Sequence, residues 1–186
     1  MKTAMIIGNG TSRKRYDLHS LRDNYETYGC NAIWRDFVPD FIVAIDPLPI
    51  YELMSSGDEE AIKAFLPTVY DDQFEPFEAN PNRPRNNAGM VAMKKAIDSG
   101  HNKIVCIGFD FLIQDAKVSL DNVYCNTYGY GGKTQSTIED NYGRLSYLAW
   151  FIKSNPDIIF EFVYPMNYGF YQINLDNIKV VVNETL

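Results

Sequence analysis

Met5-Ile6-Ile7-Gly8-Asn9-Gly10-Thr11-Ser12 is the stretch from which the rest of the chain can be read. Thr3 to Ile7 is a short apolar run that reads as a strand, and Gly8-Asn9-Gly10 stops it. Thr11 and Ser12 are residue types that cap a following helical turn. A strand running into a glycine turn presents backbone N–H groups at its C-terminal end, where an anion, most often a phosphate, is welcome. Glycine also lets the main chain approach a ligand with no Cβ between them. Asn9 adds a side chain that both donates and accepts. The expectation is that Gly8, Asn9, Gly10, Thr11 and Ser12 hold a nucleotide or its phosphate; a plain strand-to-loop turn is the alternative. The full dinucleotide fingerprint is absent, because Arg13 stands where its third glycine would be.

Outward from that turn, Arg13-Lys14-Arg15 reads as a solvated basic face. Asp17 to Tyr28 reads as a helix stopped by Gly29, with Leu18 and Leu21 on its apolar side. Cys30 to Trp34 and Phe41 to Ile45 read as the second and third strands. Asp46-Pro47 ends the third, and an Asp at a strand's C-terminal end is where open α/β sheets keep ligands, although Asp-Pro is also an ordinary turn device. Leu48 to Met54 and Glu59 to Phe65 read as helical, Val69-Tyr70 as a short strand, and Phe74 to Pro84 as a loop. Asn86 or Asn87 caps a helix that runs to Ser99, with Gly100 after it. Ile104 to Ile107 is a continuous apolar strand, as in a parallel sheet covered on both faces. Gly108-Phe109-Asp110-Phe111 then gives a second Gly and Asp at a strand end. Asp115 to Lys133, rich in Gly and Tyr, reads as irregular and lid-like. Ser136 or Thr137 caps a helix to about Ser154, buried through Leu145, Leu148, Ala149 and Ile152. Ile158 to Val163 and Ile178 to Val182 are the last strands, the latter at an edge.

Strands alternating with helices predict an α/β, Rossmann-like fold: a mostly parallel sheet with helices on both faces. The chain reads as one domain over 1–186, with a lid-like segment over 112–135. The three polar turns, Gly8 to Ser12, Asp46 and Gly108 to Asp110, then fall on one edge of the sheet. That convergence is a stronger mark of a site than any single turn.

The 186 residues are enough to bury roughly 70% of the unfolded surface. A hydrophobic content of 46% and a charged content of 22% fit a soluble globular chain. The net charge of −7 argues against a nucleic-acid or anionic-membrane surface, which needs a basic face, but leaves room for a basic pocket for one nucleotide. No apolar run reaches transmembrane length, and none follows Lys2 as a signal peptide would require. Three cysteines, Cys30, Cys106 and Cys125, have no metal-site spacing, and a reducing cytoplasm fits them. Thirteen tyrosines mean that any one has little claim to a chemical role.

With these residues in view, the chain resembles the bacterial sialyltransferases that decorate lipooligosaccharide. Gly8-Asn9-Gly10-Thr11-Ser12 is similar to their Gly-Asn-Gly-Pro-Ser, with Thr11 in place of proline. Cys30-Asn31 matches a Cys-Asn. Arg85-Asn86-Asn87-Ala88-Gly89 is similar to Arg-x-Thr-Ser-Gly at a helix start, and Gly108-Phe109-Asp110-Phe111 to Gly-Ile-Asp-Phe. The likeness runs from about Thr3 to Phe111. The same turns recur in motility-accessory proteins that glycosylate flagellin and in archaeal pterin pyrophosphokinases.

The resemblance implies a metal-independent pocket for a cytidine nucleotide. Asn9 and Asn31 would contact the nucleotide, Asn87, Ala88 and Gly89 would line it at the helix start, and Gly108 and Asp110 would face the cytidine. Arg85 would sit by the reacting sugar. The family uses a His base and a pair of Tyr beside the departing phosphate. Here Leu112 stands in the place of the first Tyr, and Tyr124, Tyr128 and Tyr130 follow in the lid; Tyr128 and Tyr130, with Arg85, are the catalytic candidates. The two histidines fall elsewhere, His19 in the first helix and His101 in the turn entering a strand, at the opposite edge from the site. Asp115 or Asp110 would then act as the base, although Asp110 reads rather as a residue that hydrogen-bonds a ligand or caps a turn.

Three functions follow. The first is a glycosyltransferase acting on a nucleotide sugar, a CMP-linked one being the donor the resemblance implies, with no cofactor. The second is a pterin pyrophosphokinase-like phosphotransferase, with Asp46 and Asp110 holding Mg²⁺. The third is a nucleotide- or sugar-binding module that has lost the base.

Overall fold

The computed structural model describes residues 1–68, 85–131 and 136–186. Seven strands form one sheet: β1 (Thr3–Ile7), β2 (Glu26–Cys30), β3 (Phe41–Val43), β4 (Phe65–Leu66), β5 (Lys103–Ile107), β6 (Ile159–Tyr164) and β7 (Ile178–Val182). Their order is β4-β3-β2-β1-β5-β6-β7, and every pairing is parallel. The α-helices among the described residues are α1 (Leu18–Arg22), α2 (Pro47–Ser55), α3 (Glu59–Ala64), α4 (Ala88–Asp98), α5 (Ala116–Ser119) and α6 (Ile138–Lys153). Among the described residues the sheet is thus wholly, rather than mostly, parallel. Outside the strands, a lone antiparallel bridge joins Ile113 and Phe170.

Both faces are covered, as the unbroken apolar runs of β1 and β5 require. Side chains alternate across a strand. Ala4 and Ile6 of β1 therefore join the α4 and α6 side, with Met90, Met93, Leu148 and Phe151. Met5 and Ile7 join the other side, with Leu21, Ile33, Leu53 and Ala61. On α6 the buried stripe is rotated from the expected one: Tyr147 and Phe151 are buried beside Leu148 and Ile152, whereas Leu145 and Ala149 are only half-buried. Thr137 and Asp140 close its start with a capping box.

The sequence reading needs correction between Asp17 and Arg35. The helix expected to Tyr28 stops at Arg22, and Glu26–Cys30 is a strand. Thr27 in its middle is fully buried, and its N–H and hydroxyl both reach Asp40 at 2.8 Å. Gly29 is no helix stop but a strand residue whose missing Cβ admits Ile33 and Pro39; a Cβ there would lie 2.6 Å from Ile33. The strand expected at Cys30 to Trp34 is a 3₁₀ helix over Asn31–Arg35, because Asn31 turns the chain into the left-handed region at φ +50°. β3 ends at Val43, short of Ile45, and Phe65 opens β4 rather than closing a helix. The strand expected at Val69-Tyr70 and the loop from Phe74 to Pro84 lie outside the described residues. Arg13 is buried rather than solvated, whereas Lys14 and Arg15 are exposed.

Glu161 on β6 sits between two cations, 3.1 Å from Lys103 on β5 and 2.7 Å from Lys179 on β7. Burial opposes its ionisation, but the bonds from Lys179 and Lys103 outweigh it and hold the carboxyl below its ordinary range. A lowered folded-state pKa gives stability that is present above the unfolded value and lost as pH falls through the folded one. Glu161→Gln should therefore reduce the acid-side loss of stability, read as urea midpoints between about pH 7 and pH 3. An unchanged pH profile would contradict this.

Among the described residues no helix is long and apolar enough to cross a membrane.

Candidate functional site

Parallel pairing puts the C-terminal ends of all seven strands on one rim. The strand order reverses between β1 and β5, and such switch points are where open α/β sheets form a crevice. The two glycine turns meet there. Gly8 N–H donates to the Ile107 carbonyl and Gly10 N–H to the Gly108 carbonyl, each at 2.9 Å. A Cβ on Gly8 would lie 2.5 Å from the Gly108 oxygen, and one on Gly108 (φ +69°) 2.6 Å from the Gly8 oxygen. Glycine is needed here so that one turn can lie against the other.

Asp110 completes the lock. Its carboxylate accepts from the Ser12 N–H at 3.0 Å, from the Ser12 hydroxyl, and from Thr11. A Cβ on Gly10 would fall 2.3 Å from its Cγ. The anion anticipated at this turn is thus present, and it is the protein's own. The expectation that these N–H groups are free for a phosphate is corrected: those of Gly8, Gly10, Thr11 and Ser12 are used inside the chain. Burial raises the Asp110 pKa, and the bonds from Ser12 and Thr11 only partly offset this.

Beside the lock lies a cavity of about 610 Å³. Its lining has an acceptor-rich part. Asn9 donates through Nδ2 to the Cys30 carbonyl at 3.0 Å, and its buried Oδ1 has no hydrogen-bond partner. Asn31 donates through Nδ2 to Asp46 at 2.8 Å, while its Oδ1 accepts from Ile45 N–H at 3.3 Å. Asp46 precedes α2 yet makes no capping bond, so its carboxylate is positioned by Asn31 on the exposed side of the cavity. Tyr130 also lines it, and burial pushes that phenol up to about 12.

A second part of the lining is cationic. Asn87 caps α4 by accepting from Met90 N–H at 3.0 Å, and the N–H groups of Ala88 and Gly89 stand at the open end of that helix. Gly89 lets α4 press against the second turn, since a Cβ there would be 2.6 Å from the Phe109 ring. Arg85 is tied by its own N–H to the Gly143 carbonyl of α6 at 3.0 Å, and its guanidinium pairs with Asp140. The next residue of α6, Arg144, donates from Nη1 to Ser136 at 2.9 Å and to Asn141 at 2.8 Å. Burial, and then the charge of Arg85, lowers the Arg144 pKa.

No protein-family model, no curated protein and no solved structure matches this chain. What the cleft can do is therefore argued from its own groups.

Gly8, Asn9, Gly10, Asn31, Asp46, Arg85, Asn87, Ala88, Gly89, Gly108, Asp110 and Tyr130 are brought to one cavity. Thr11 and Ser12 stand behind it, turned to Asp110. Tyr128 is exposed and off the lining; its carbonyl accepts from Arg35 at 2.7 Å. The Tyr124 hydroxyl is engaged, donating to Asp36 and accepting from Arg13, each at 2.8 Å. His101 is buried at the far edge, 2.9 Å from the Ala96 carbonyl, and His19 packs edge-on to Phe37; neither lines the cavity. Asp115 caps α5 and also lies off the lining. Leu112 and Ile113, the first residues of the lid-like segment, are fully buried. Further along, Val123 N–H donates to the Asn9 carbonyl at 2.9 Å, so the segment is fastened to the rim. Residues 132–135 lie outside the description.

Of the Asp pair expected to hold Mg²⁺, Asp110 already accepts from Ser12 and Thr11. Among the described residues no group of three or more His, Cys, Asp or Glu side chains is placed to hold a metal.

Sequence reasoning missed Arg144, Asp140 and Asn141. Asp140 and Arg144 are four apart on a helix, which reads as an ordinary surface pair. Only the docking of Arg85 onto Gly143 shows that Asp140 faces a different arginine.

Proposed function

We propose that this cleft binds a nucleotide sugar, with a CMP-linked donor as first candidate, and transfers its sugar to an acceptor hydroxyl. One observation carries the reading: one switch-point cavity is lined both by Asn9, whose buried Oδ1 has no hydrogen-bond partner, and by two arginines, Arg85 and Arg144, beside the start of α4. Its volume is that of a small-molecule site. In this reading Asn9, Asn31 and Asp46 take hydrogen bonds from ribose or sugar hydroxyls. Arg85 and the start of α4 neutralise the departing phosphate, a role preorganised charge performs well. Asp46 is the carboxylate placed to take the acceptor's proton, and Tyr130 lies beside the leaving nucleotide.

The test is release of free nucleotide from a panel of CMP- and UDP-sugars. Arg85→Ala should lower that release by about 10²–10³-fold. A wild-type protein that turns over no donor in the panel would remove the transferase reading.

The position of both histidines away from the cavity favours a second reading, a binding module without turnover. Saturable CMP binding with no hydrolysis or transfer would select it. The Mg²⁺-dependent phosphotransferase makes a distinct claim, that EDTA abolishes nucleotide affinity.

A further inference from the structure

We infer that Arg144 is the phosphoryl anchor of the cleft. Its guanidinium carries five N–H donors, and its hydrogen bonds to the described residues leave from Nη1 alone. Both acceptors, Ser136 and Asn141, are neutral. Among the described residues no carboxylate lies within ion-pair distance of it, whereas its neighbour Arg85 is matched by Asp140. Among the described residues, Arg144 is therefore the cation of this wall without an ion-paired carboxylate, in a chain whose net charge is −7.

Its environment makes that charge costly. Burial, and then the charge of Arg85, disfavour the protonated state, and the Asp46 carboxylate only partly offsets them. A half-buried cation with no ion-paired carboxylate among the described residues, and with only the longer-range charge of Asp46 in its favour, gains from an anion that enters with the ligand. Asn141 fixes the fork in place: it is buried, and its Nδ2 holds the Ser119 carbonyl at 3.2 Å while its Oδ1 holds Arg144. Ala88 and Gly89, which open α4, and Arg85 line the same cavity. A tetrahedral phosphoryl group offers more oxygens and more charge to such a set than a single carboxylate does.

The inference deepens the proposed ligand site and rests on it, yet the two can fail separately. Calorimetric titration of the full chain with inorganic pyrophosphate, phosphate, acetate and CMP is the experiment. Wild type should bind pyrophosphate and phosphate in preference to acetate. Arg144→Met should weaken pyrophosphate and CMP binding at least about 10-fold, and Arg144→Lys, which keeps the charge but loses the fork, should fall between. The Arg144 Nε–H resonance of the wild-type protein should shift on adding pyrophosphate, a readout that does not depend on how the variants fold. Equal pyrophosphate binding by wild type and R144M, a silent Arg144 resonance, or acetate binding as tight as phosphate would each overturn the inference. CMP binding that ignores R144M would sink the anchor and leave the nucleotide reading standing. Arg144-dependent pyrophosphate binding without affinity for any nucleotide would do the reverse.

Discussion

Gly108→Ala is expected to cost about 4 kcal/mol of folding free energy. Two penalties combine. The residue sits at φ +69°, where a Cβ is strained, and that Cβ would stand 2.6 Å from the Gly8 carbonyl oxygen. The obstructing atoms belong to the backbone of β1's own exit, which is held by Gly8 to Ile107 and Gly10 to Gly108 hydrogen bonds. Nothing flexible is available to yield. Gly100→Ala is the control: it has φ +86° but nothing within 4 Å, so it carries only the backbone strain of about 1–2 kcal/mol. Thermal unfolding should separate the two, with Gly108→Ala lowering Tm by about 8–16 °C. Equal losses at both positions would mean that the turns do not press on each other as described.

Asp110→Ala should cost about 3 kcal/mol by a different route. Removing the carboxylate strips the acceptor from the Ser12 N–H, the Ser12 hydroxyl and Thr11 in a region closed to solvent. The same residue gives the wild type a distinctive pH response. Its folded-state pKa is raised, so its contribution is fully present below the ordinary carboxylate range and is lost as pH rises through the raised value. Glu161 and Asp40, with lowered values, act in the opposite direction. Urea midpoints of wild type and variant across pH 3 to about 7 would expose the difference. A variant as stable as wild type at every pH would show that Ser12 and Thr11 find other acceptors.

Alternation of apolar runs with capped helices made the architecture readable before any coordinates. Asn87, Thr137 and Gly100 marked helix ends correctly because capping is a local matter of one side chain and one turn. The stretch from Asp17 to Arg35 failed because its outcome is tertiary. Gly29 signals a helix stop by itself, and only the arrival of Ile33 and Pro39 makes it a strand residue. For the same reason, the sequence could show that Gly8, Gly10, Gly108 and Asp110 belong on one rim, but not that they engage one another. Arg13 was misread in the same way: its place in a basic run hid the buried partners Asp36 and Tyr124, both distant in sequence. Arg144 was hidden by its spacing from Asp140, which reads as a surface pair, whereas Asp140 pairs with the sequence-distant Arg85.

The position of β1 between β2 and β5 has a consequence for how the chain is made. Thr3 pairs with Lys103 and Ile7 with Ile107, so one flank of the first strand stays bare until roughly a hundred further residues have left the ribosome. At about 5–20 residues per second that wait lasts about 5–20 s. Throughout it, Met5, Ile6 and Ile7 are an exposed apolar edge that a nascent-chain chaperone would have reason to shield.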